Sequence, residues 1–199
     1  MAMVNKALVA LLLVLALSGT SLAMQPMITD DTGTQGKGKF QLELAYEFDD
    51  EDTDGVEERV NQVEATASSG ITDTVDLVVG LPYQFITTKE AGERMTEDGI
   101  SDLSIEVKWR FFERENFSLA IKPGLSLPTG NDDKGLGAGE VGGSVFFIAT
   151  QAVEPWAFHF NAGYLRNEST ADEERNIWHV SVATEVEVAK SHPRCRHRG

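Results

Sequence analysis

The sequence predicts an all-β protein, an antiparallel up-and-down outer-membrane β-barrel of about eight strands. Three observations predict it. Apolar and polar residues alternate with period two from Phe40 onward, the links between alternating runs are long and short in turn, and aromatic residues gather at the two ends of the runs.

The chain opens with Lys6, an apolar run over 7–17 and the small residues Ser21 and Ala23. An apolar run of 11 residues is shorter than the ~20 that a helix needs to cross a bilayer, so residues 1–23 are expected to be a cleaved signal peptide. No cysteine stands at the cleavage point to carry a lipid. A glycine-rich polar leader, 24–38, follows. Either it is a flexible periplasmic segment, or Asp30 and Asp31 enter the lumen as a plug and pair with Arg110 or Lys108.

Residues 39–188 are expected to form the barrel. "KFQLELAYEF" (39–48) sets Phe40, Leu42, Leu44, Tyr46 and Phe48 against Gln41, Glu43, Ala45 and Glu47. "TVDLVVGLPYQF" (74–85), "LSIEVKWRF" (103–111) and "FSLAIKPGLSL" (117–127) repeat the scheme, with weaker versions near 60–69, 140–150, 155–165 and 176–188. Long polar loops are predicted at 49–59, 86–99, 128–139 and 166–175, and tight links at 70–73, 113–115 and 152–154. In an up-and-down sheet all the long loops then share one end, as in outer-membrane barrels. No amphipathic helix is predicted after the signal.

Period two does not say which face is outside, because a soluble barrel buries its apolar face and a membrane barrel turns it to lipid. The aromatic residues favour lipid. Tyr46, Phe48, Tyr83, Phe85, Tyr164 and Trp178 fall beside the long loops, while Phe40, Trp109, Phe111, Phe117 and Trp156 fall at the other ends. Phe158 and Phe160 break the trend. The polar face then lines the interior, and Glu43, Glu106, Lys108, Arg110 and Lys122 are the candidate pore-lining residues. They fit either a charged constriction or a salt-bridged filling of a narrow barrel.

Composition excludes other classes. Thirty-two acids against 17 bases argue against a nucleic-acid partner, and the single cysteine, Cys195, excludes an intrachain disulfide. "DDEDTDGVEER" (49–59) begins like a calcium loop, but counting Asp50 as position one puts Asn61 where a bidentate Glu is needed, and strands flank it. "GAGEVG" (137–142) matches a dinucleotide fingerprint, yet precedes a strand and no helix. His159, His179, Ser181 and Glu185 share one polar face, but the two histidines fall at opposite ends of their strands. No metal, cofactor or catalytic residue is expected, and the chain is not expected to be an enzyme.

Several stretches also carry a resemblance: "QPMITDDTGTQGKGKFQLELAYEF" (25–48), Leu81-Pro82-Tyr83, "GISDL" (99–103), "KWRF" (108–111) and "KPGLSLPTGNDDKGLGAGE" (122–140). Over roughly 25–188 the chain resembles the meta-pathway phenol-degradation family of outer-membrane, transporter-like proteins. The motifs are turns, glycines and strand starts, so the resemblance implies a fold more than an activity. It implies an outer-membrane barrel concerned with uptake of small hydrophobic or aromatic solutes, embedded in lipid and lipopolysaccharide and inserted by the barrel assembly machinery. Members are usually longer. The ending "SHPRCRHRG" (191–199) departs from the acidic chain before it, so residues 189–199 are expected to be an irregular basic tail, the product of a shifted or shortened reading frame or the tail of a native eight-stranded barrel.

The expected function is passive transport through a pore. The alternatives are a filled structural barrel that displays acidic loops and a soluble periplasmic barrel that binds an apolar ligand.

Overall fold

The computed structural model describes residues 29–53, 55–166 and 176–187. The expected signal peptide 1–23, the start of the leader, most of the predicted loop 166–175 and the tail 189–199 lie outside the described residues.

Among the described residues nine strands follow one another: β1 (Phe40–Thr53), β2 (Val56–Gly70), β3 (Val75–Glu90), β4 (Glu93–Ile100), β5 (Leu103–Arg114), β6 (Phe117–Leu127), β7 (Gly142–Val153), β8 (Trp156–Arg166) and β9 (Asn176–Val186). All pairings are antiparallel between neighbours in sequence, except that β3 pairs with both β4 and β5. The β4 partners of β3 begin at Tyr83 and its β5 partners end at Gly80, so β4 and β5 lie end to end in one column. The sheet has eight columns and curls into a half-barrel, consistent with an up-and-down barrel. Among the described residues, β1 pairs only with β2 and β9 only with β8.

Two predicted loops are strand instead. Residues 49–59 and 86–99 extend the β1–β2 and β3–β4 hairpins, with Thr53 opposite Val56 and Glu90 opposite Glu93. Polar residues occupy both faces there, so the hydropathy period vanishes, but ladder hydrogen bonds need no apolar face. The turns are supplied by Gly55 at φ +86° and by Ala91 and Gly92, both at positive φ, the geometry of a tight hairpin turn. Residues 128–141 remain a loop, with one short 3-10 turn at Asp132–Lys134. Asp102, in the break between β4 and β5, holds that loop by accepting from the N–H groups of Gly130 (2.9 Å) and Ala138 (2.7 Å).

The alternation sorts the two faces. Leu42, Leu44, Phe147, Val180 and Val182 are exposed on the convex face, whereas Asp76, Lys108, His159 and Asn161 are buried on the concave one. Ring pairs stand near both ends of the convex face: Tyr83–Phe85 and Tyr164–Trp178 toward the long hairpins, Trp109–Phe111 and Phe112–Phe117 toward the short turns. Phe112 reaches this face through a bulge. The register steps from Arg110↔Ala120 to Phe112↔Leu119, which leaves Phe111 unpaired and puts two successive phenylalanines in exposed positions.

Candidate functional site: the concave face and its strap

Register builds the site. Asp76 on β3 faces Lys108 on β5, Lys122 on β6 faces Phe146 on β7, and Ala120, Ile148 and Asn161 form one row across β6, β7 and β8. Every second residue of a strand points the same way, so these partners share the concave face. Gly163 stands opposite Phe146, where a Cβ would meet the ring at 2.3 Å; the glycine makes the space in which that ring lies.

Leader residues 29–35 cross this face as a strap. At one end the strap joins the base of the first hairpin, where Gly38 N–H donates to Gly70 O (2.8 Å) and Gly70 N–H donates to Lys39 O (2.9 Å). Thr34 Oγ1 donates to Asp73 O (2.9 Å) and Gln35 N–H to Asp76 Oδ2 (2.9 Å). Toward the other end Thr32 N–H donates to Thr150 Oγ1 (3.1 Å), and the Thr32 and Ser118 hydroxyls bond to each other. Asn161 accepts from Asp30 N–H and donates to Asp30 O. Thr29 and Thr32 are buried in consequence.

Asp30 carries the electrostatics. Lys108 Nζ lies 2.9 Å from its Oδ1 and Lys122 Nζ 3.2 Å from its Oδ2, one lysine for each oxygen. Lys108 also stands 3.8 Å from Asp31, and Lys122 3.3 Å from Glu106. Burial pushes the Asp30 carboxyl up, but the two ammonium groups outweigh it and hold the group below the usual carboxylate range. An open cavity of about 470 Å³ remains beside the strap, lined by Glu43, Glu64, Asp76, Glu106, Lys108 and Lys122 among others. Space of this size holds several waters or one small organic molecule.

Four of the five candidate lining residues, Glu43, Glu106, Lys108 and Lys122, therefore meet around one cavity. Arg110 does not join them. It turns to the short-turn end, donating from Nη2 to Asp73 O (3.2 Å), with Nε 3.3 Å from Glu113. Of the two readings of the leader, the geometry matches the plug: Asp30 and Asp31 pair with Lys108, one of the two partners expected, and Asp30 also pairs with Lys122, not with Arg110. Sequence reasoning missed Asn161, although it lies two residues from His159 and so shares its face; that parity was the available signal.

The histidines are not brought together. His159 Nδ1 is 3.0 Å from Thr150 Oγ1, and its Nε2 is 3.7 Å from Glu185, beyond hydrogen-bond reach. His179 instead bonds Ser181 (2.9 Å). Thr150 already accepts from the strap, so this cluster positions side chains around Thr32. The described residues of the acidic stretch 49–59 lie in the first hairpin, where Asp50 pairs with Arg59 (3.1 Å), and Glu57 reaches across to Lys89 on β3 (2.5 Å). Among the described residues no group of three or more His, Cys, Asp or Glu side chains is placed to hold a metal ion.

A family model described as "Putative MetA-pathway of phenol degradation" matches residues 23–193 of the 199. No curated protein matches the chain.

Proposed function

The chain belongs to the MetA-pathway phenol-degradation family, and from that membership and the two faces of its sheet we propose that it is an outer-membrane β-barrel protein through which small aromatic or hydrophobic solutes pass passively. Residues 1–23 serve as its export signal, the barrel assembly machinery inserts it, and lipid and lipopolysaccharide surround it. It catalyses no reaction in this proposal.

One observation carries the reading. Most large apolar side chains of the sheet stand outside, and the buried ionisable ones stand inside: Trp178 is 78% and Phe40 82% exposed, while Asp76 is 2% exposed. In water so broad an apolar surface is a liability for association, whereas a bilayer satisfies it, with rings at both interfaces. The cavity flanked by Glu43, Glu106, Lys108 and Lys122 is the path for solute. The strap supports a second reading, a filled structural barrel that presents its acidic hairpins and transports nothing.

Fractionation and reconstitution test both. The mature protein should sediment with outer membranes and need detergent for release, and liposomes containing it should swell in proportion to the entry of phenol-sized solutes. Release by osmotic shock alone would overturn the membrane assignment. Membrane-bound protein in tight liposomes would favour the filled barrel.

A further inference from the structure

The concave face holds a carboxylate that the strap does not fully use. Asp76 is 2% exposed, its Oδ2 accepts from Gln35 of the strap, and its Oδ1 has no hydrogen-bond partner. A buried carboxylate oxygen left without a donor is costly, so its retention calls for an explanation. Asp76 stands directly across the β3–β5 ladder from Lys108, the residue that holds Asp30. Facing residues of an antiparallel pair lie ~5 Å apart at Cα, within a lysine's swing.

We propose that the strap is a displaceable latch, in which Lys108 exchanges Asp30 for Asp76 and the leader then swings out of the concave face.

Three features make the open state accessible. Removing one member of a buried ion pair normally strands the other charge, which is what makes such a pair hard to open. Here neither lysine is stranded, because Lys108 passes to Asp76 and Lys122 stays 3.3 Å from Glu106. The strap residues Thr29, Asp30, Asp31, Thr32, Gly33, Thr34 and Gln35 are all polar or glycine, so their sites on the wall accept water when they leave. A pivot is in place as well: Gly36 (φ +82°) and Gly38 (φ +75°) separate the strap from β1, and Gly38 is tied to Gly70. The latch therefore has two arrangements with every lysine paired, the condition for a two-state element. The link between this latch and solute passage rests on the function proposed above; the exchange itself does not.

The test uses the full mature protein, folded in detergent, with Cys195→Ser and Thr29→Cys, and follows the reaction of that thiol with a polar maleimide. Thr29, in the strap itself, is buried against the concave face when the strap is docked. Asp30→Asn should speed labelling by about tenfold, as expected for loss of a charge-assisted contact. Asp76→Asn separates the latch from a plain anchor. Its amide oxygen still accepts from Gln35, but Lys108 loses its second partner, so labelling should slow severalfold. Faster or unchanged labelling in Asp76→Asn would overturn the proposal. If that variant does not fold, carbodiimide coupling of Asp30→Asn, followed by peptide mass spectrometry, should yield a Lys108–Asp76 linked peptide, and its absence would overturn the exchange. Liposomes that admit no solute would remove the transport reading and leave these rates unaffected.

Discussion

The Asn161 carboxamide grips the Asp30 peptide from both sides, accepting from its N–H at 2.9 Å and donating to its carbonyl at 2.7 Å. The two residues are 131 positions apart in sequence, and the side chain does for the strap what a neighbouring strand would do for a ladder.

Asn161→Leu keeps the volume and removes both bonds. Asn161 is 1% exposed, and each buried backbone group left unpaired costs about 1–3 kcal/mol. The variant should unfold at a lower temperature and be cut by protease within the leader under conditions where the parent is not. Asn161→Asp keeps the acceptor for Asp30 N–H and loses the donor, so its effect should fall between the two. Equal protease resistance in all three proteins would mean that the clamp does not hold the strap.

Acid should release the strap. A carboxyl whose folded-state pKa is depressed contributes stability that is present above its unfolded value and lost as pH falls through the folded value. Asp30 is of this kind, faced by Lys108 and Lys122 with Asp31 and Glu43 nearby. Strap protection, followed by leader proteolysis or thiol labelling, should be constant from neutral pH down to the ordinary carboxylate range and collapse below it. In Asp30→Asn the protection should be weaker at neutral pH. A collapse near neutral pH would point to a different controlling group.

Gly70 is a point of close backbone approach between the leader and the sheet. A Cβ there would sit 1.9 Å from Gly36 O, a backbone atom without rotamer freedom. Gly70→Ala should lower stability by about 1–3 kcal/mol as the leader is pushed away. Gly143→Ala is the matched control, because nothing lies within 4 Å of a Cβ at that strand position. Thermal unfolding of the two variants should differ clearly, and equal midpoints would remove the close approach as a determinant.

Asp102→Ala should free the 128–141 loop. It removes the acceptor for Gly130 and Ala138 together, while the Lys134–Glu97 contact (2.6 Å) remains. Protease should cut first near Asn131–Gly135, with the sheet intact by circular dichroism. Unchanged resistance would show that other contacts suffice.

The legible and illegible parts of this fold divide along one line. Period two and turn spacing are local, so the columns and the polar face carrying Glu43, Glu106, Lys108 and Lys122 could be read from the residues themselves. The hairpin tips at 49–59 and 86–99 were hidden because Lys89 and Glu57, or Thr87 and Thr96, pair without an apolar face to mark them. Asp30's partners were hidden for another reason. Choosing Lys122 and Asn161 over Arg110 requires knowing how far the sheet curls between β3 and β8, and no local pattern encodes curvature. The bulge at Phe111 likewise depends on a one-residue slip against β6.

The rims of the half-barrel obey a parity rule. β1 runs from the short turns toward the long hairpins and β9 runs back, so the two margins left unpaired among the described residues point in opposite senses. They are matched in polarity to zip directly onto one another. Any up-and-down insert that bridges them must bring an even number of strands, because an odd number would force a parallel seam somewhere around the circumference.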